Sequence, residues 1–190
     1  MTRRVVVGMS GASGVAYGIR LLQVLRSQPD IETHLVMSSA AKRTLATETD
    51  SASSEVEDLA DVVHRNTDVG ASISSGSFRI HAMIVAPCSI KTAAGIATSY
   101  TDNLLSRAAD VALKERRRLV LLVRETPLHV GHLRMLTLLA EAGAVIMPAT
   151  PAFYHRPSSV DEIVDQTVNR VCDLADIELA HDLFPRWVGA

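Results

Sequence analysis

Apolar positions in this chain fall in short, β-branched runs separated by longer stretches with helical spacing. Residues 4–9 (RVVVGM) hardly alternate between apolar and polar, which predicts a strand buried on both faces. In residues 14–27 the side chains of Ile19, Leu22 and Leu25 lie near one stripe, as a helix requires. The same patterning predicts strands at 32–37, 82–86, 116–126 and 145–147, and helices at 40–47, 91–97, 103–115, 133–142 and 160–174. Pro87 is expected to stop the third strand, and Gly143 to C-cap the helix before it. Residues 50–77 are polar and predict a short helix at 56–63 followed by a loop ending in SISSGSF. No repeat, low-complexity tract or linker interrupts the pattern, so residues 1–190 read as one domain.

Alternating strands and helices imply an α/β fold: a mostly parallel sheet between two helical layers. In such folds ligands bind outside the carboxyl ends of the strands. The segments that follow the five predicted strands are SGASG (10–14), SSA (38–40), PCSIKT (87–92), RETP (124–127) and PATPAFYHRP (148–157). Each is rich in small, hydroxyl-bearing or charged residues, and all should meet at one rim.

Composition narrows the function classes. The chain is 47% hydrophobic but only 4% aromatic, so the core should be built from Val, Ile, Leu and Ala. A net charge of −2 argues against nucleic-acid binding, which uses a basic face. No apolar run approaches the roughly 20 residues of a membrane span. The basic start MTRR leads into a run that reads as a buried strand rather than a secretory signal. Cys88 and Cys172 match no zinc spacing, and a reduced, cytoplasmic setting is expected.

The rim segments admit more than one chemistry. Gly11-Ala12-Ser13-Gly14 allows a sharp turn and close backbone approach, and the helix after it offers free N–H groups to an anion. Equally, Ser13 could simply cap that helix. The pattern is neither G-x-S-x-G nor G-x-G-x-x-G and lacks a Walker lysine. Ser89 and Thr92 can donate to a ring or phosphate, whereas Cys88 reads as a small buried filler. Arg124 and Glu125 either line a site or form a structural ion pair. Arg107 and Lys114, seven residues apart, share a helix face, with Asp110 placed to pair locally. Arg116 to Arg118 read as a solvated charge run. Tyr154, His155 and Arg156 lie between prolines on a stiffened loop, and Arg170 has Asp173 as a possible partner. His129 and His132 have ligand spacing but no third ligand, so no metal site is expected.

Taken in order, SGASGVAYGIRLL, SSGSF, APCSIKT, DNLLSRAADVALKERRRLVLLVRETPL, GAVIMPATPAFYHRP and TVNRV resemble the UbiX family of flavin prenyltransferases over nearly the whole chain. The tail IELAHDLFPRW is similar to the subgroup encoded beside hydroxyarylic acid decarboxylases. The resemblance implies a flavodoxin-like Rossmann fold with bound FMN. It implies transfer of a dimethylallyl group from dimethylallyl phosphate to N5 and C6 of reduced FMN. The product, prenylated FMN, would serve a UbiD-type decarboxylase, and the assembly would be a homododecamer with sites between subunits. By the same resemblance Gly11, Ala12, Ser13, Ser38, Ser89, Ile90, Lys91, Thr92 and Arg124 contact FMN. Arg107, Lys114, Tyr154 and Arg170 fall on the prenyl-phosphate pocket, and Glu48 and Glu125 on acidic positions; Glu125, Glu48 and Lys114 are the catalytic candidates. Two alternatives stay open: a flavin-dependent cysteine decarboxylase, although the PASANT segment of those relatives is absent, and a non-catalytic accessory subunit.

Overall fold

The computed structural model describes residues 2–189. Six strands form one parallel sheet: β1 (Arg3–Met9), β2 (Ile31–Met37), β3 (Val62–Arg65), β4 (Ala82–Cys88), β5 (Arg118–Val123) and β6 (Val145–Pro148). Their order across the sheet is β3-β2-β1-β4-β5-β6, with every ladder parallel. The direction of strand addition reverses between β1 and β4, the place where α/β sheets open a crevice for ligands.

Alternate side chains of the central strands feed two separate cores. Val5, Val7, Met9, Leu35, Ile84 and Leu122 point into one, beneath α1 (Val15–Arg26) and α7 (Val160–Leu174). Val6, Val36, Met83, Val85, Leu119 and Leu121 point into the other, beneath α4 (Ile90–Ala97), α5 (Leu104–Lys114) and α6 (Val130–Glu141). Burial on both faces explains why these strands carry apolar residues without alternation. The three-layer α/β/α arrangement is the predicted one.

The polar stretch after α2 (Ser39–Glu48) departs from expectation. In place of a helix over 56–63, the chain forms a single short helix, α3 (Ser53–Glu57), and then the edge strand β3. Val56, Leu59, Ala60 and Val63 mimic a helical stripe, but only Val56 is fully buried; Leu59 and Ala60 pack on the core from a turn. Val62 and Val63 are β-branched and sit at the open edge, where one face can stay wet, so the strand is too short and too exposed to announce itself.

Two strand ends also differ. β4 continues through Pro87 to Cys88, because the ladder to β5 shifts register between Val85 and Cys88 and asks nothing of the missing N–H. β5 starts only at Arg118, since Arg116 adopts φ 55° and the Arg117 amide donates back to the Ala112 carbonyl.

Helix α1 is not capped by Ser13. Gly14 occupies the cap position with φ 97°, and its side of the turn is completed by Glu48 at the end of α2. The Glu48 carboxylate accepts from the Gly14 amide at 2.9 Å and the Val15 amide at 3.0 Å. Partial burial works against the charged form, but the Ser13 hydroxyl, these two amides and the nearby Arg124 charge outweigh it and hold the Glu48 carboxyl below its ordinary value of 4.5. A depressed carboxyl pKa stabilises the fold above the unfolded-state value and loses that contribution as pH falls through the folded one. Glu48→Gln should therefore lower stability at neutral pH by about 0.5 kcal/mol, the size of an exposed charge–dipole contact. Urea denaturation against pH checks this: the gap from wild type should close as pH drops below 4.5.

Candidate active site at the sheet rim

At the switch point the ends of β1 and β4 are tied by one buried serine, Ser10, whose amide donates to the Pro87 carbonyl at 3.1 Å. The Ser10 hydroxyl donates to the same carbonyl at 2.9 Å and accepts from the Ser89 amide at 2.7 Å, with 1% of the residue's surface exposed. Ser10 is thus consumed in holding the rim together. On either side a helix begins with a serine cap: Ser38 accepts from the Ala41 amide at 3.0 Å, and Ser89 from the Thr92 amide at 3.3 Å. Their N-termini face a cleft of about 680 Å³ lined by Gly11, Ser38, Ser89, Lys91 and Thr92, together with Arg43, Asn66 and Tyr100. Gly11 is bare for a reason. A Cβ there would run into the Ala40 methyl, with the Ala40 Cα only 3.3 Å away.

The other predicted flavin contacts, Ala12, Ser13, Ile90 and Arg124, are not among the residues that line this cleft. Ser13 and Ala12 lie in the turn behind Gly11, where Ala12 is buried and Ser13 exposed. Ile90 opens α4 but packs toward the second core. The Arg124 amide donates to the Cys88 carbonyl at 3.1 Å, leaving its exposed side chain past the end of β5. Glu125 is also exposed, and its carboxylate accepts from the Thr126 amide at 3.0 Å. Burial pushes the Cys88 thiol up to about 12, so it is filler rather than a nucleophile.

The predicted phosphate-binding cations do not meet within one chain. Arg107 bonds Asp110 at 3.0 Å and the Ser74 carbonyl at 3.3 Å, and Lys114 pairs with Glu115, both on α5. Arg170 on α7 pairs with Asp173 at 2.7 Å, and Tyr154 packs edge-on against Trp187 and Phe184 of the C-terminal tail. Since α5 and α7 cover opposite faces of the sheet, the sheet itself stands between the two pairs. His129 is taken up as the N-cap of α6, accepting from the Gly131 and His132 amides. Among the described residues no three His, Cys, Asp or Glu side chains gather as a metal ligand set.

Asn66 escaped the sequence reading. It follows β3, a strand the apolar pattern does not predict, and so lies outside the five rim segments. Its carbonyl accepts from the Leu104 amide at 2.8 Å and its side-chain oxygen from the Leu105 amide at 3.0 Å, fixing the start of α5 against the cleft. Arg43, on the second turn of α2, adds a cation to the same wall. Two helix N-termini, a lysine, an arginine and a bare glycine backbone suit a planar ligand with an anionic tail, which fits FMN.

Comparison with known proteins agrees with this geometry. A family model described as Flavoprotein matches residues 1–172. Flavin prenyltransferase UbiX of Escherichia coli K12 is 65% identical over 188 residues, covering 99% of this chain and all of that protein. A crystal structure of AnUbiX (PadA1) in complex with FMN and dimethylallyl pyrophosphate superposes with a TM-score of 0.96 at 50% identity, covering 100% of both chains. A dodecameric FMN-dependent UbiX-like decarboxylase from Escherichia coli O157:H7 follows at 0.94 and 49%, covering 98% of this chain and 100% of that one. The chain belongs to the flavoprotein family and, within it, to the UbiX flavin prenyltransferases.

Proposed function

We propose that this protein joins the dimethylallyl group of dimethylallyl phosphate to N5 and C6 of reduced FMN. The observation that carries the proposal is the cleft at the β1/β4 switch point, walled by Gly11, Ser38, Ser89, Lys91 and Thr92, in a chain that matches an FMN- and dimethylallyl pyrophosphate-bound relative along its full length. Reduced FMN would supply the nucleophilic ring positions. The serine caps and amides at the starts of α2 and α4, with Lys91, would hold the flavin, and Ala12, Ser13, Ile90 and Arg124 complete its surroundings.

Loss of phosphate from an allylic carbon concentrates negative charge on the leaving oxygens. Arg107, Lys114, Arg170 and the Tyr154 hydroxyl are suited to stabilise that charge by hydrogen bonds that shorten as it develops. Because the sheet separates Arg107 and Lys114 from Tyr154 and Arg170, we assign one complete pocket to neighbouring copies in a homododecamer; the dodecameric relative supports that assembly. In this reading Glu125, exposed beside Arg124, would deliver a proton to the departing phosphate, and Glu48 would hold the turn before α1 through the Gly14 and Val15 amides. Prenylated FMN would then pass to a UbiD-type decarboxylase. No described helix is long and apolar enough to cross a membrane, and we place the reaction in the cytoplasm.

Anaerobic incubation of the purified protein with reduced FMN and dimethylallyl phosphate should yield a flavin heavier by one five-carbon unit on mass spectrometry. Unmodified flavin with both the monophosphate and the pyrophosphate would refute the assignment. Glu125→Gln should leave FMN affinity unchanged while slowing adduct formation about 100-fold, the usual worth of a positioned proton donor. Single-turnover absorbance measurements check this, and an unchanged rate removes Glu125 from the chemistry.

A further inference from the structure

The Arg116–Arg118 run reads from sequence as a solvated charge patch, yet its middle member is spent on an internal task. Arg117 is half-buried, and its guanidinium forks onto two main-chain carbonyls of a distant loop: Gly76 at 2.6 Å and Phe78 at 2.8 Å. Three residues past the end of α5, its own amide donates back to the Ala112 carbonyl of that helix, so the fork springs from a rigid base. The loop it grips, Ser74 to Phe78, is held at its other contacts as well. Ile73 is buried in the second core, and the Phe78 ring carries the Arg4 guanidinium 4.7 Å above it and the His34 ring against it edge-on.

What this loop touches gives the clamp a consequence. The Ser74 carbonyl accepts from Arg107, and Gly76 lies directly under the Lys114–Glu115 pair. A Cβ on Gly76 would sit 2.8 Å from the Lys114 ammonium nitrogen and closer still to the Glu115 carboxylate. The atoms met are the far ends of flexible side chains, so an added methyl would move those head groups without disturbing the backbone.

We propose that Arg117 is a positioning residue: by fixing the carbonyls of Gly76 and Phe78 it sets the height of the loop that seats Arg107 and Lys114, and so aims both cations at the substrate phosphate. This rests on the reading above that these two side chains bind that phosphate. Arg117 itself touches no substrate. Its planar two-nitrogen fork is what the task requires, since a lysine would present one nitrogen where two carbonyls must be held at a fixed separation.

Steady-state kinetics on the full chain with reduced FMN and varied dimethylallyl phosphate test the assignment. Arg117→Ala and Gly76→Ala should each raise KM for dimethylallyl phosphate about tenfold, the cost of misaligning one charge-assisted hydrogen bond. FMN affinity should not change. Arg117→Lys should recover only part of the loss; a wild-type KM in that variant would assign the effect to charge and overturn the clamp. Gly76→Ala carries the test if Arg117→Ala does not fold. In a Lys114→Ala background, Arg117→Ala should raise KM by less than it does alone, because part of its target is gone; a full additive loss would overturn the coupling. A normal KM in Lys114→Ala alone would sink the substrate role of that lysine and this inference with it. A raised KM there, with normal values in Arg117→Ala and Gly76→Ala, would sink the clamp alone.

Discussion

Everything at the rim depends on the Ser10 hydroxyl. It joins the tips of two adjacent parallel strands by donating to one main-chain group and accepting from another. Where strand order reverses, β1 and β4 send their following segments to opposite sides, and the ladder between them ends. The Ser10 amide also donates to the Pro87 carbonyl, at 3.1 Å, and beyond that bond the strands diverge and leave the Ser89 amide with no ladder partner. Ser10 closes that gap with the smallest side chain that can both donate and accept. A buried unpaired amide would cost about 1–3 kcal/mol, so the tie also fixes where the gap opens into a cleft.

The helices α1, α2 and α4 begin beside this switch point, and they are not equivalent toward an anion. The N-terminus of α1 already holds a full negative charge, the Glu48 carboxylate. Those of α2 and α4 are capped by neutral serines, which satisfy an amide each and leave the positive end of the dipole uncompensated. On charge alone, the two later helix starts suit an anion better than the GASG turn, the segment that looks most like a phosphate cradle.

The sheet and its two cores were legible because burial on both faces writes unbroken Val, Ile and Leu runs such as VVVGM and LVLLV. The rim segments were legible for the converse reason, since small and polar residues cluster where strands stop. What stayed hidden was written in neither pattern. β3 is an edge strand of four residues whose valines share spacing with a helix turn, so Asn66 behind it went unnoticed. Glu48 as a cap depends on a contact between residues 34 positions apart. Arg117 lies in a run of three like residues, and only the fold tells which one turns inward. The placement of Arg107 and Lys114 on one helix face, by contrast, followed from their spacing alone.

The separation of the cations by the sheet bears on how the isolated chain tolerates them. Arg107, Lys114 and Arg170 each keep an acid of their own helix or its end within reach: Asp110, Glu115 and Asp173. These pairs are partly exposed, and such contacts contribute at most about 1 kcal/mol. If the cations gather between copies as proposed, such weak pairs would soften their mutual repulsion and still yield to a phosphate that brings two charges and several acceptor oxygens. A cluster neutralised more strongly would bind substrate poorly. One left bare would resist assembly. On that proposal, weak local pairing would permit both a stable empty pocket and an exchange of partners when a phosphate enters.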